Sequence, residues 1–192
     1  LTTTASALNE VKRVLKKINY HPRIAYVNRW CEHSLYLDAL AQRVKKGIGE
    51  FEPDVQDEVR IIFSAHSIPE RCVRKGDPYP QDVTLTVRGV LERARINNKW
   101  YIAYQSRTGR VRWLSPAVDE LILNLIGEGA RSFLIVPVSF VSDHFETLYE
   151  IDILLADKVR SAGGVLHRTE SLNASDDFIG VLGQLVMDAL FK

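Results

Sequence analysis

The residues of this sequence with the most specific chemistry are one histidine and a group of carboxylates. His66 follows one apolar segment, and Asp143, Glu146 and Glu150 follow another. Spacings of three and four residues place the three carboxylates on one face of a helix, where they repel one another. We therefore expect them to have raised proton affinities or to attract a cation. Together with an imidazole, such a group suits proton transfer near neutral pH or the binding of a divalent metal.

The elements that must position these residues alternate along the chain. The predicted helices span residues 4–18, 34–46, 81–95, 116–128, 143–161 and 177–190, and the predicted strands span 23–28, 59–65, 100–106, 132–138 and 165–169. Pro116 suits the first position of its helix. Residues 69–80, rich in proline and glycine, are predicted to form a loop. This alternation predicts an α/β fold with a doubly wound, mainly parallel sheet and helices on both faces.

A sheet of this kind defines where a site should lie. In open α/β sheets, ligands bind outside the carboxyl ends of the strands. Polar residues lie at or just after the ends of three predicted strands. They are Ser64, His66 and Ser67 for the first strand, Gln105 and Ser106 for the second, and Ser142, Asp143, His144 and Glu146 for the third. We expect all of them at one edge of the sheet, which brings the histidine and the carboxylates together.

Composition excludes several classes of function. The 192 residues suit a single domain, and 25 Lys and Arg against 24 Asp and Glu give no reason to expect a nucleic acid as partner. Two cysteines, Cys31 and Cys72, are too few for a disulfide scaffold or a cysteine-based zinc site, and they suit a reducing compartment. The longest apolar stretch, 133–138, is far too short to span a membrane. No signal peptide is visible, and a start without Met suggests a processed or truncated chain.

Common catalytic motifs are also missing from the sequence. It contains no G-x-G-x-x-G, no G-x-x-x-x-G-K-[ST], no G-x-S-x-G and no H-E-x-x-H. Dinucleotide and nucleoside triphosphate binding, hydrolase chemistry with a serine nucleophile, and this type of zinc protease therefore have no support.

Three long segments carry a resemblance to a known family. They are "FSAHSIPERCVRKGDPYPQ" (63–81), "YQSRTGRVRWLSP" (104–116) and "VPVSFVSDHFETLYEID" (136–152). Each resembles a signature segment of ferrochelatase, the enzyme that inserts ferrous iron into a porphyrin to make haem. The shorter segments "TTTASALN" (2–9), "NRWCEH" (28–33) and "ESLNASDDFI" (170–179) are similar to further parts of the family, in the same order.

The resemblance implies a fold and a division of the chain. The family has two Rossmann-like domains of the type II chelatase class, with a porphyrin cleft between them. By this resemblance, residues 1–22 are the trailing part of a missing N-terminal domain, and residues 23–192 are the C-terminal chelatase domain. The missing half would supply the opposite wall of the cleft, so the chain alone is expected to be weakly active or inactive.

The resemblance also implies roles for individual residues. His66 and Glu146 match two catalytic residues that face each other across the cleft. Ser106 and Trp113 match porphyrin-binding positions. The implied metal-binding residues are His66, Glu146, Asp143 and Glu150. Whether His66 accepts protons, delivers metal or does both stays open.

The implied reaction agrees with the chemistry of these side chains. A free-base porphyrin must lose two N–H protons as a dication enters, and a histidine with an ordinary pKa of about 6.5 suits that task. Carboxylates can accept protons or bind incoming Fe²⁺, which takes both oxygen and imidazole ligands. Binding contacts elsewhere could bend the macrocycle and expose its nitrogen lone pairs. Fe²⁺ is then a substrate. No bound cofactor is expected, and no iron–sulfur cluster, because no cysteine lies near the C-terminal end.

The resemblance also bears on partners and location. The expected partners are porphyrin, ferrous iron and the missing N-terminal half, and the family admits a homodimer and peripheral membrane contact. Family members work in the bacterial cytoplasm or on the matrix side of the inner mitochondrial membrane. Protoporphyrin IX is the favoured substrate over coproporphyrin. Leu154 stands where the family usually continues its acidic row, so a metal or proton route along the helix is shortened.

Other interpretations of the same residues remain. His66 could be a structural residue, Trp113 could be core, and Asp143 and Glu146 have the spacing of a capping box. For the whole chain, the alternative function is a non-catalytic ferrochelatase-like protein that binds tetrapyrrole or regulates a partner. A third reading, a chelatase acting on sirohydrochlorin, is disfavoured by the long specific segments.

Overall fold

The structure, a computed structural model, describes residues 4–191. Its α-helices are α1 (Thr4–Lys17), α2 (Ser34–Ile48), α3 (Glu70–Arg74), α4 (Tyr79–Ala94), α5 (Val118–Gly127), α6 (Phe145–Leu148), α7 (Ala156–Ser161) and α8 (Asp176–Leu190). A 3₁₀ turn lies at Gln56–Glu58 and a π-helix at Glu150–Leu155. The strands are β1 (Arg60–His66), β2 (Trp100–Gln105), β3 (Ser132–Pro137) and β4 (Val165–Arg168).

The four strands form one parallel sheet in the order β2-β1-β3-β4. From β1 the chain moves outward to β2, crosses back to β3 on the other side of β1, and continues to β4. The predicted doubly wound, mainly parallel sheet is confirmed. The direction of winding reverses between β1 and β3, which is where folds of this kind place their ligands.

Apolar side chains on both faces of the sheet explain why the central strands are continuous hydrophobic runs. On one face, Ile61 and Phe63 pack with α2, α4 and α8. On the other face, Ile62 and Ile135 pack with α5, the π-helix and α7. Because successive side chains of a strand point to opposite faces, a strand covered on both sides is apolar at most of its positions.

The segment 23–28 was expected to be a strand, and this prediction is wrong. The structure gives it no regular secondary structure, and Ile24, Tyr26 and Val27 are exposed. Its apolar and β-branched composition favours an extended backbone, but a strand also needs a neighbour to satisfy its N–H and C=O groups. None of the four strands pairs with this segment.

Three helix boundaries also differ from the prediction. The loop predicted at 69–80 contains the short helix α3, and α4 already begins at Tyr79. Pro116 is not the first helical residue, because α5 begins at Val118 with Ala117 as its N-cap. The single helix predicted over 143–161 is divided into α6, the π-helix and α7. No helix in residues 4–191 combines the length and the apolar character needed to cross a membrane.

The contact between α2 and α8 gives a prediction about acid stability. Arg43 Nη1 lies 2.6 Å from Asp177 Oδ2, and this hydrogen bond lowers the pKa of Asp177 to about 2. A carboxylate with a lowered pKa stabilises the fold above its ordinary pKa, and this stability is lost as pH falls from about 4 to about 2. We expect Asp177→Asn to lower the free energy of unfolding at pH 7 by about 0.5–1 kcal/mol, with a difference that shrinks over that interval.

Urea unfolding between pH 2 and pH 7 measures this difference. Asp157→Asn is the matched control, because Asp157 pairs with Arg160 on the surface, where both side chains are more than half exposed. The control should stay close to the unaltered chain at every pH. A difference between Asp177→Asn and the unaltered chain that is constant down to pH 2 would contradict the assignment.

Candidate active site

His66 and Glu146, 80 positions apart in the chain, are in direct contact. His66 ends β1 and Glu146 lies in α6, and His66 Nδ1 is 3.0 Å from Glu146 Oε2. The two side chains are 41% and 31% exposed, so the pair is accessible from outside the fold. A carboxylate can only accept a hydrogen bond, so Nδ1 carries the proton in this contact. In the neutral ring, Nε2 is then the nitrogen with a free lone pair.

The backbone of His66 is held from two sides. Its N–H donates to Ser139 Oγ at 2.8 Å, and its carbonyl oxygen accepts from the Tyr79 hydroxyl at 2.8 Å. Burial raises the pKa of Tyr79 to about 12, so the hydroxyl keeps its proton and remains a donor near neutral pH. The ring of Phe140 lies edge-on to the imidazole at 6.1 Å between centroids. The imidazole therefore occupies a defined position at the end of the sheet.

The start of α6 places Glu146 opposite this imidazole. His144 is the N-cap: its Nδ1 accepts from the Glu146 N–H at 3.0 Å, and its own N–H donates to Thr147 Oγ1 at 3.0 Å. The alternative interpretation of Asp143 and Glu146 as a capping box is therefore wrong by one residue, because His144 is the N-cap and Thr147 is its partner. The Glu146 side chain takes no part in capping the helix, and its carboxylate bonds to His66.

A second group of polar side chains lies beside the pair. Gln105 Nε2 donates to the main-chain oxygen of Glu146 at 2.9 Å, and Ser106 Oγ donates to Glu150 Oε2 at 2.8 Å. Ser106 has a φ of 61°, in the left-handed region that costs energy for a residue with a side chain. Gln105, Ser106 and Glu150 line a cavity of about 300 Å³ together with Lys158.

A larger and mainly apolar cavity of about 830 Å³ opens next to His66. Its lining includes Ile68, Tyr79, Trp113 and Phe140. The Trp113 indole N–H donates to the Thr108 carbonyl oxygen at 2.9 Å, which fixes the ring. Of the two predicted porphyrin-binding residues, Trp113 thus lies in the same cavity as His66, whereas Ser106 lines the smaller cavity.

Asp143 bonds a different partner from that pair, a guanidinium that it shares with Asp152. Arg168 Nη1 lies 3.0 Å from Asp143 Oδ1, and Ser171 and Asn173 donate to the same carboxylate at 2.8 and 2.9 Å. Burial raises the pKa of Asp143, but the hydrogen bonds from Asn173 and Ser171 and the charge of Arg168 outweigh it, so the pKa lies below its ordinary value. The raised proton affinity, one of the two expectations for these carboxylates, is wrong for Asp143, because hydrogen bonds from Asn173 and Ser171 and the nearby charge of Arg168 stabilise its ionised form.

The four predicted metal-binding residues therefore do not form one cluster. His66 contacts Glu146, Glu150 contacts Ser106, and Asp143 contacts Arg168. Across residues 4–191, no three side chains of His, Cys, Asp or Glu come close enough together to hold a metal ion. The helix begins only at Phe145, so Asp143 lies outside it and does not share a helix face with Glu146 and Glu150.

Some residues of this site were not predicted. Tyr79 was assigned to a turn, and Arg168 had no role, although each contacts a residue singled out by the sequence. Neither contact has a local sequence signal, because each bridges separate elements of the fold. Gln105 was expected at this edge of the sheet without a specific partner, and its position at the end of a predicted strand was the signal.

Comparison with known proteins identifies relatives of this chain. The family model for ferrochelatase matches residues 1–190. The curated ferrochelatase of Geotalea uraniireducens (strain Rf4) is 44% identical over 186 residues, which cover 96% of this chain and 57% of the relative. The mitochondrial ferrochelatase of Gallus gallus is 40% identical over 189 residues, which cover 96% of this chain and 47% of the relative. The chain thus spans about half the length of these curated relatives.

A solved structure also resembles the fold. The CbiX protein from Marinobacter aquaeolei VT8 superposes with a TM-score of 0.49 and 16% identity, over 69% of this chain and 97% of that one. A likeness at this level adds nothing to the sheet topology described above. The relatives include bacterial and mitochondrial proteins, and the match extends over nearly every residue, including the three segments that carry His66, Trp113 and Glu146. This chain belongs to the ferrochelatase family.

Proposed function

We propose that this chain carries the catalytic pair of a ferrochelatase, which inserts ferrous iron into protoporphyrin IX to form haem. The observation that carries the proposal is the contact between His66 Nδ1 and Glu146 Oε2 at 3.0 Å, beside an apolar cavity that contains Trp113. The alternative, a non-catalytic ferrochelatase-like protein that binds tetrapyrrole, explains the cavity but gives the pair no task.

The pair supplies the proton chemistry that metallation needs. Two N–H protons leave the porphyrin for each Fe²⁺ that enters, so the products are the iron porphyrin and two protons. Glu146 holds the proton on Nδ1 of His66, which leaves Nε2 to accept a proton from the macrocycle. The carboxylate then stabilises the imidazolium, as an acidic partner does for other catalytic histidines.

The larger cavity suits the macrocycle. Its volume of about 830 Å³ lies within the usual range for organic ligands, about 300–1,000 Å³. Aromatic side chains, Trp113 and Phe140 among them, offer flat surfaces for a flat ligand. In this proposal, Trp113 packs on the porphyrin, and Ser106 acts indirectly, because it lies in the neighbouring cavity.

Ferrous iron enters this proposal as a substrate. Fe²⁺ accepts both imidazole and carboxylate ligands, so His66 and Glu146 can receive it at the porphyrin. Glu150 offers a further carboxylate one helical turn away, and Asp143, neutralised by Arg168, is the weakest of the four candidates. No resident cofactor is proposed, and no iron–sulfur centre, because Cys31 and Cys72 are the two cysteines of the sequence.

The proposal includes a domain arrangement in which this chain is part of a longer protein. Since the chain covers 57% and 47% of the two relatives, we propose that residues 23–192 form the chelatase domain and that residues 1–22 trail an N-terminal domain. That domain would cover the open side of the cavity. A homodimer, peripheral membrane contact, and work in the bacterial cytoplasm or the mitochondrial matrix belong to the same proposal.

Metallation measured by absorbance tests the function. The full-length product of the gene that encodes this chain is mixed with free-base protoporphyrin and Fe²⁺ under anaerobic conditions, and the 192-residue chain is assayed beside it. We expect the full-length product to replace the free-base spectrum with that of haem, and the 192-residue chain to be much slower. Tight porphyrin binding without metallation by the full-length product would instead favour the non-catalytic alternative.

A further inference from the structure

We propose that Gln105 is a positioning residue that holds Glu146 against His66. This inference rests on the proposed chelatase function of that pair. The last residue of β2, Gln105 is 8% exposed, and its side chain connects the ends of two strands to the helix that carries the carboxylates. Neither the sequence motifs nor the relatives' names assign it a role.

The backbone of Gln105 is fixed by its neighbour in the sheet. Gln105 is the register partner of His66 across the β1–β2 pair, and its carbonyl oxygen accepts from the Ser67 N–H at 2.9 Å. The main chain directly after His66 is thereby bonded to Gln105. Any group that the Gln105 side chain holds is consequently placed relative to His66.

The carboxamide of Gln105 has a single orientation that satisfies its surroundings. Its Nε2 faces the main-chain oxygen of Glu146 at 2.9 Å and the carboxylate of Glu150 at 3.5 Å. Both of these groups can only accept hydrogen bonds, so the amide must present its NH₂ group to them. The Oε1 atom then accepts from Ser64 Oγ, which is fully buried. These partners therefore fix both the position of the Gln105 carboxamide and which way its nitrogen and oxygen point.

The hydrogen bond from Gln105 to the main chain of Glu146 should affect catalysis. Gln105 holds the main chain of Glu146, whereas the Glu146 carboxylate contacts His66, so the amide sets the position from which the carboxylate reaches the imidazole. Misplacing a catalytic group by about 1 Å can cost ~10²-fold in rate. Gln105 lines the smaller cavity and is not part of the lining of the larger one. Its loss should therefore affect kcat and leave the KM for porphyrin unchanged.

The test uses Gln105→Met in the full-length product, because methionine keeps the length of the side chain without its hydrogen bonds. We expect kcat for metallation to fall by ~10–100-fold, with a porphyrin KM that stays within about twofold. Gln81→Met, at an exposed position of α4, is the matched control and should behave like the unaltered protein.

A spectroscopic measurement separates positioning from a general loss of structure. In protein labelled with ¹⁵N-histidine, the ring signals of His66 report its contact with Glu146, and those of His21 and His167 are internal controls. We expect Gln105→Met to shift the signals of His66 and of His144, whose ring accepts a hydrogen bond from the Glu146 main chain, and to leave those of His21 and His167 unchanged. A purely structural role would reduce the folded fraction and leave the His66 signals of the folded protein where they were.

A second variant, Gln105→Glu, covers the case in which Gln105→Met does not fold. It has the same shape but presents oxygen to the carbonyl of Glu146 and the carboxylate of Glu150, so we expect a similar fall in kcat. Folded variants with unaltered kcat and unaltered His66 signals would overturn the proposal. If the unaltered protein itself fails to metallate porphyrin, the proposed function is wrong, and the His66 signals alone decide whether Gln105 positions the pair.

Discussion

His66→Ala is expected to reduce the rate of porphyrin metallation by about 10²–10⁴-fold, the range typical for the loss of a general base. The imidazole is the group that accepts the proton from the macrocycle in the proposed function, and alanine leaves no acceptor in its place. Binding of porphyrin should change much less, because the cavity has many other lining residues. Absorbance-monitored metallation at saturating porphyrin and Fe²⁺ measures kcat, and fluorescence quenching measures porphyrin binding.

Glu146→Gln tests the second residue of the pair. Glutamine keeps the shape of the side chain and removes the charge that stabilises the imidazolium, so we expect a fall in kcat of at least about 10²-fold. Because Glu146 acts through the imidazole of His66, the double variant should be little worse than His66→Ala alone. His21→Ala is the control, since His21 is exposed and bonds only to Asn19 among the side chains described. Losses that multiply in the double variant would show that the two residues work separately.

Phe63→Ala is expected to lower the free energy of unfolding by about 3–5 kcal/mol. Phe63 lies in the middle of β1, is fully buried, and packs in the core shared with α2, α4 and α8. Truncation removes the transfer free energy of the ring and leaves a cavity that the close-packed sheet cannot fill. Since domains have about 5–15 kcal/mol of stability, this one change removes a large fraction of it.

Guanidinium unfolding followed by tryptophan fluorescence measures this loss in the 192-residue chain. Phe191→Ala removes the same ring from a position that is 80% exposed, and it should change the free energy of unfolding by less than about 0.5 kcal/mol. Equal effects of the two substitutions would mean that Phe63 is not part of a packed core. At temperatures where the Phe63 variant is still folded, the contact between His66 and Glu146 should persist.

Local patterns in the sequence were sufficient for the strands and helices of the core. β1 and β3 were predicted to within one residue, because a strand buried on both faces is a mainly apolar run, and polar residues follow it. The alternation of these runs with amphipathic helices predicted the parallel, doubly wound sheet. The rule that ligands bind at the carboxyl ends of such strands then predicted His66 and Glu146 at one edge, and three segments carried the resemblance to the family.

The same patterns failed where a long-range partner decides the outcome. Residues 23–28 have the composition of a strand but no strand beside them, and a lone strand cannot satisfy its backbone. Asp143 was grouped with Glu146 and Glu150 by helical spacing, yet Arg168, 25 positions later, holds its carboxylate. The helix itself begins at Phe145 and turns into a π-helix at Glu150.

What the sequence by itself determined is therefore the set of elements, the family, and the kinds of side chain at the edge of the sheet. Only the tertiary structure decided which of those side chains touch: His66 with Glu146, Ser106 with Glu150, and Asp143 with Arg168. The physical reason is that propensity and periodicity act over a few neighbouring residues. Contacts between residues far apart in the chain depend instead on how the crossover connections place β1, β2, β3 and β4 side by side.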